Sequence, residues 1–211
     1  MTDQNSISLD FRNLKILPDS LDWEHQPPNW TLSEQGLEIH TQGKTDLWQR
    51  THYGIQTDNG HFLKTALKVP KFTLTTRVSY QGKHEFDQAG LMVRISPDNW
   101  IKTSVEHQPG RADKLGAVVT NLGYSDWSCQ GFDNPGNQII LRIRAERPDF
   151  LIEYSLPETP EEWNLIRIAH LHEDVPVAPI QAGIYCCSPM DKGFKTVFSS
   201  LEISPKDNTQ S

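Results

Sequence analysis

The sequence predicts an all-β domain, a jelly roll made of two packed antiparallel sheets. Three observations predict it: apolar residues alternate with period two along most of the chain, tight-turn signals separate the runs, and no stretch keeps a clean helical period for more than about ten residues. Antiparallel strands can be joined by such turns, whereas parallel strands would need crossover helices that have no counterpart here. The 211 residues fit a single β-sandwich. One domain is expected over residues 1–204, followed by a short tail over 205–211.

The strands follow in order. Phe72, Leu74, Thr76, Val78 and Tyr80 alternate in one run, Ala89, Leu91, Val93 and Ile95 in the next, and Ile101, Thr103 and Val105 after that. Ile139, Leu141, Ile143 and Ala145 repeat the pattern, then Phe150, Ile152 and Tyr154, then Leu165 to Ile168. The last two runs are Gln181 to Cys187 and Thr196 to Ile203. Turns are marked at Asp58-Asn59-Gly60, Gln81-Gly82-Lys83, Ser96-Pro97-Asp98-Asn99, Gln108-Pro109-Gly110, Asp133-Asn134-Pro135-Gly136 and Arg147-Pro148-Asp149. Pro157 to Trp163 invites a helical turn.

Charge narrows the function classes. Twenty basic against 27 acidic residues give a net charge of −7 with no basic block, so neither nucleic acid nor an anionic membrane is expected as a partner. No apolar run is long enough to span a membrane, and Asp3, Asp10 and Asp19 stand where a secretion signal would be basic and then apolar. A cytoplasmic protein is expected. Its three cysteines, two of them adjacent at 186 and 187, then read as reduced packing residues and not as a disulfide framework. Asn29-Trp30-Thr31 matches a glycosylation acceptor by chance in that setting. Six tryptophans are an excess, suited either to the core or to stacking against a ligand.

Alternation also sorts side chains by face. With Leu91, Val93, Ile101, Thr103 and Val105 inward, Met92, Arg94, Trp100, Lys102, Ser104 and Glu106 point outward. Arg142, Arg144 and Glu153 are outward by the same rule, which would give one sheet a face of Arg, Lys, Glu and Trp. Such a face is either solvated or the lining of a concave groove. Hydrolysis of a glycosidic bond would need a second acid beside Glu106. None stands on its own strand, leaving Glu153 or Asp126 from a neighbour, while Glu85 and Asp87 fall in a turn. Neither a G-x-S-x-G elbow nor a calcium-loop pattern occurs, and His170 with His172 is too small a set for zinc. No catalytic residue beyond the weak candidate Glu106, no metal and no cofactor is expected.

The motifs Thr45-Asp46-Leu47-Trp48, Asp87 to Arg94, Trp100-Ile101-Lys102 with Glu106, Val118 to Asn121 and Ser125 to Ser128, together with Asn59-Gly60-His61, Ser188-Pro189 and Gly193-Phe194, follow in the order of a known set. From about Trp23 to Ile203 the chain resembles an uncharacterised bacterial and fungal family of concanavalin-A-like β-sandwich proteins that includes the yeast regulator of enolase. The resemblance implies a jelly roll of the lectin and glucanase type and a site on its concave face. It implies no reaction, because the E-x-D-x-E string of the glucanases is missing. The site positions it implies are Trp48, Gln88, Arg94, Trp100, Lys102, Glu106, Asn121, Asp126 and Trp127. Each has a structural alternative, such as turn capping by Asp46 and Asp126, pairing of Glu106 with Lys102 or Arg94, or close backbone approach at Gly90. The leading expectation is a small polar, carbohydrate-like ligand, with a phosphorylated or carboxylated sugar held by Arg94 and Lys102. The alternatives are docking on a metabolic enzyme and action on a glycan as a hydrolase or lyase.

Overall fold

The computed structural model describes residues 6–206. Among them run seventeen strands: β1 (Ile7–Asp10), β2 (Asp22–Glu24), β3 (Asn29–Ser33), β4 (Gly36–His40), β5 (Leu47–Gln49), β6 (Gln56–Asp58), β7 (His61–Leu67), β8 (Lys71–Gln81), β9 (Gln88–Ser96), β10 (Asn99–Glu106), β11 (Asp113–Asn121), β12 (Tyr124–Phe132), β13 (Gln138–Glu146), β14 (Asp149–Leu156), β15 (Thr159–His170), β16 (Ile180–Cys187) and β17 (Lys195–Pro205). The back sheet has the order β15-β14-β13-β8-β17-β4-β3, with β1 also paired to β17. The front sheet runs β12-β11-β10-β9-β16-β7-β2, and β5 with β6 forms a separate hairpin. All strand pairings are antiparallel. The architecture is a concanavalin-A-like jelly roll.

The core fills the space between the sheets. Phe72, Leu74 and Val78 of β8, Leu141 and Ile143 of β13, and Phe198 and Leu201 of β17 face Leu91 and Val93 of β9, Ile101 and Val105 of β10, and Ile184 and Cys186 of β16. Fully burying each large apolar side chain contributes about 1.5–3 kcal/mol. Gly90 answers the backbone alternative raised above, since a Cβ there would lie 1.9 Å from the Thr103 carbonyl oxygen. At one end Arg147 and Asp174 form a wholly buried ion pair, and Arg147 also donates to the carbonyls of Val69, Val175, Pro176 and Ala178.

Three expectations are corrected. Pro157–Trp163 is not helical: a turn there leads into β15, which begins at Thr159. Pro205 does not begin a frayed tail, because it pairs with Phe72 in β17, and the Lys206 amide donates to the Lys71 carbonyl; 207–211 lie outside the described residues. The outward polar residues do not share one sheet. Arg142, Arg144 and Glu153 sit on the back sheet, where both guanidiniums donate to Glu153 at 2.9 Å and Arg142 stacks 3.6 Å from the Trp163 ring centre. Alternation orders residues within a strand but does not say which sheet the strand joins.

Candidate functional site

Strands β9 and β10 are buried almost throughout. One face meets the core, and the other is roofed by the β5–β6 hairpin and the loop after β16. Under this roof Leu47, Trp48, Phe62, Met92, Trp100, Val118, Tyr185 and Cys187 form a second apolar cluster. Beside it lies a cavity of about 240 Å³ walled by Trp48, Tyr53, Ile55, Phe86, Val118, Trp127, Pro189 and Met190, with Asp46, Gln88, Lys102 and Glu106 as its polar groups.

The hairpin is stapled down at several points. Arg94 holds Asp58 with two bonds of 2.6 and 2.7 Å, and Glu24 lies 3.4 Å away. Burial opposes the charge of Arg94, but the hydrogen bonds and charge of Asp58 outweigh it and its pKa rises. The Gln49 amide donates to Ser125 Oγ at 2.9 Å, and Arg50 donates to the Gly123 carbonyl at 2.8 Å. Asn59 and His61 shape the loop that presents Asp46. The Asp46 amide donates to Asn59 Oδ1 at 2.9 Å, and the Gln42 amide donates to His61 Nε2 at 3.0 Å. His61 Nδ1 is therefore the protonated nitrogen and donates to the His25 carbonyl at 2.6 Å. Burial lowers the pKa of this ring. Gly193 lets the loop after β16 close against Thr41, whose carbonyl oxygen would be 1.7 Å from a Cβ at that position.

Lys102 is buried beneath the cavity. Its Nζ donates to Gln88 Oε1 at 2.9 Å and to Asp46 Oδ1 at 3.3 Å, and the Trp100 and Tyr185 ring centres lie 5.9 and 5.7 Å away. Burial opposes its charge, yet the acidic neighbours, Asp46 first, raise its pKa. The Tyr185 hydroxyl lies 3.0 Å from Gln88 Oε1 and 2.8 Å from Ser104 Oγ. Because Lys102 can only donate, the Gln88 atom it meets must be the oxygen, and the Gln88 amide nitrogen turns to the Phe86 carbonyl at 3.1 Å. Glu106, 7% exposed, is different. No donor reaches its carboxylate among the described residues, and burial pushes its pKa up to about 7, with Lys102 pulling it down and Asp46 adding to the rise.

Of the nine expected positions, five come together: Trp48, Gln88, Lys102, Glu106 and Trp127 all line the cavity. Four do not. Arg94 is committed to Asp58. Trp100 has no exposed surface, and its Nε1 donates to the Pro97 carbonyl, so it offers no stacking face. Asn121 is engaged by the His170 carbonyl and the His172 amide. Asp126 is next to Trp127 in β12 and so points to the other side, where its exposed carboxylate pairs with Arg167 at 2.8 Å. Neither Asp126 nor Glu153 is then the second acid beside Glu106. Asp46 enters the wall instead, although its motif was visible and read as a turn cap. Tyr53, Ile55, Phe86 and Met190 come from loops, where alternation gives no signal. Among the described residues no group of three or more His, Cys, Asp or Glu is placed to hold a metal ion, and no helix is long and apolar enough to cross a membrane.

The fold and this roofed cavity define a concanavalin-A-like sandwich with a small chamber on the outer face of one sheet. The chain belongs to the family described as "Protein of unknown function (DUF1349)", which matches residues 23–206. It is 32% identical over 186 residues to "Regulation of enolase protein 1" of Saccharomyces cerevisiae, covering 86% of this chain and 88% of that protein. Among solved structures, a functionally unknown S. cerevisiae protein is similar with a TM-score of 0.79 and 29% identity, over 90% of this chain and 98% of that one. The GH43 protein BlXynB of Bacillus licheniformis, as its K247S mutant, is similar with a TM-score of 0.74 and 15% identity, over 93% of this chain but 39% of that one. The carbohydrate binding module CBM66 of Bacillus subtilis gives 0.55 and 15%, over 86% and 94%. The last two show the fold alone.

Proposed function

We propose that the chamber binds a small hydroxyl-bearing ring, of the size of one sugar unit, as a binding protein and not as a hydrolase. One observation carries this reading. The cavity is mostly apolar, with the indoles of Trp48 and Trp127 on its wall, and carries a small polar end made by Asp46, Gln88, Lys102 and Glu106. A sugar ring has the matching halves, C–H faces for aromatic plates and hydroxyls for polar groups. At about 240 Å³ the space exceeds the cavity of about 150 Å³ that takes up benzene in an engineered core, and lies below the pockets of about 300–1,000 Å³ that hold drug-sized ligands. That favours a single ring. A phosphorylated or carboxylated sugar suits it less, because Arg94 is bound to Asp58 and Lys102 to Asp46. The sugar-binding reading agrees with the fold shared with a carbohydrate binding module. Thermal shift against a panel of monosaccharides, charged and neutral, tests it, since a ligand at 100 times its Kd adds about 2.7 kcal/mol of stability. Wild type should gain more than Trp127→Ala. Equal shifts, or none, would end the reading.

A second reading is docking on a metabolic enzyme. Tyr53, Ile55 and Met190 at the cavity wall are each about half exposed, an apolar patch of the kind that marks contact sites. The enolase-regulation name of the yeast relative supports a metabolic enzyme as that partner. A cytosolic setting suits the three unpaired cysteines, and the shared core of the two sheets supports treating 6–206 as one domain.

A further inference from the structure

The unpartnered carboxylate in the chamber narrows the ligand. Its other polar groups largely satisfy one another. Gln88 Oε1 takes Lys102 and Tyr185, the Gln88 amide donates to the Phe86 carbonyl, and Asp46 Oδ1 takes Lys102 and the Leu47 amide at 2.7 Å. The single cation that the described residues place in the wall, Lys102, is thereby balanced by Asp46. Glu106 is left with two acceptor oxygens and no donor. Lys114, opposite it in register, makes no ion pair with it. The Glu106 oxygens face the chamber instead of a protein donor, and a carboxylate held in so enclosed a place is costly. A ligand that brings a positive charge removes the cost, and the aromatic side chains of Trp48, Trp127 and Tyr53 that line the same space suit a cation too.

Resting on the sugar-binding reading, the geometry points to a ligand with a protonated amine seated on Glu106: an amino sugar, in preference to a neutral or anionic one. The anionic class is disfavoured twice, by Glu106 itself and by the capture of Lys102. Burial that raises the pKa of Glu106 fits the same picture, because an arriving ammonium group stabilises the charged form.

Isothermal titration of the full chain at pH 7 tests this with glucose and glucosamine, galactose and galactosamine, mannose and mannosamine, plus N-acetylglucosamine and glucose 6-phosphate as probes without the positive charge. The expected result is that one hexosamine binds about ten-fold or more tighter than its hexose, the gain of a charge-assisted hydrogen bond. Glu106→Gln, which keeps shape and loses charge, should bring the pair level, and Glu106→Asp should keep part of the preference. Hexose and hexosamine binding alike, or glucose 6-phosphate binding best, would overturn the amine assignment and leave the chamber a sugar site. Binding of none of the probes would overturn both.

Discussion

Replacing Glu106 with Gln should stabilise the unliganded protein at neutral pH and not at acid pH. Glu106 has a pKa of about 7 against an ordinary value of 4.5, a difference of about 2.5 units, and each unit is about 1.36 kcal/mol. The sign follows from the direction of the shift. A carboxyl whose folded pKa is raised keeps its full contribution below the unfolded pKa and loses it as pH rises through the folded one. Between pH 4.5 and 8 the wild type should therefore lose about 3 kcal/mol through this group, an upper value because a buried site relaxes and admits water. The charged and titratable groups facing Glu106 are Lys102, Asp46, Tyr185, Cys187 and Cys129, with Lys114 alongside. All are retained in the variant, so their own titrations largely cancel in the difference. Urea unfolding of both proteins at pH 4.5, 6, 7 and 8 measures it. The stability of Glu106→Gln relative to wild type should climb by about 2–3 kcal/mol across that series. A flat difference would show that the Glu106 carboxylate is not desolvated and would refute the reasoning.

Other consequences follow from the same contacts. Arg94→Met leaves Asp58 without its partner and frees the hairpin, so about 2–4 kcal/mol of stability should be lost, with faster amide hydrogen exchange at Gln49 and Thr57 than at Leu91. Asp174→Asn strips the buried Arg147 of its counter-charge and should cost about 3–5 kcal/mol in urea unfolding, whereas the double variant Arg147→Met with Asp174→Leu, which removes both charges, should recover part of the loss. His61 has a lowered pKa, so its contribution is present above the unfolded value near 6.5 and fades as pH falls. By NMR the His61 Nε2 should take up its proton at a pH below the ordinary histidine value of about 6.5. Cys186 and Cys187 are buried and Cys129 is exposed, and burial raises the pKa of both inner thiols. A thiol reagent should label one cysteine in the native protein and three after unfolding.

Much of the architecture was legible because period two is a strong signal when it is sustained. β8, β9, β10, β13, β14, β16 and β17 each show it over five or more residues, and their inward residues are those of the core. The first 67 residues were harder. β2, β5 and β6 have only three residues each, too few for any period to appear. The site divided along the same line. Lys102 and Glu106 share a strand face that alternation identifies, and Gln88 stands opposite Glu106 in register. Asn121 and Asp126 lay in the right motifs but point elsewhere, for a motif reports adjacency in the chain and not direction in space. Arg94 has the right face and the wrong partner. Its pairing with Asp58, 36 residues away, depends on where the hairpin folds back. The surplus of tryptophan also resolves in space: Trp48 and Trp127 face the chamber, Trp100 lies sealed below it, and Trp23 and Trp30 pack together with ring centres 6.1 Å apart.

The central claim is that the chamber between the Trp48 and Trp127 indoles and Glu106 is a ligand site. A crystal of the wild-type chain soaked with a hexosamine tests it directly. The account predicts density for one ring inside the chamber, with its amine within hydrogen-bond distance of the Glu106 carboxylate and its apolar face on an indole. Density confined to the outer surface, with the chamber holding water alone, would contradict it.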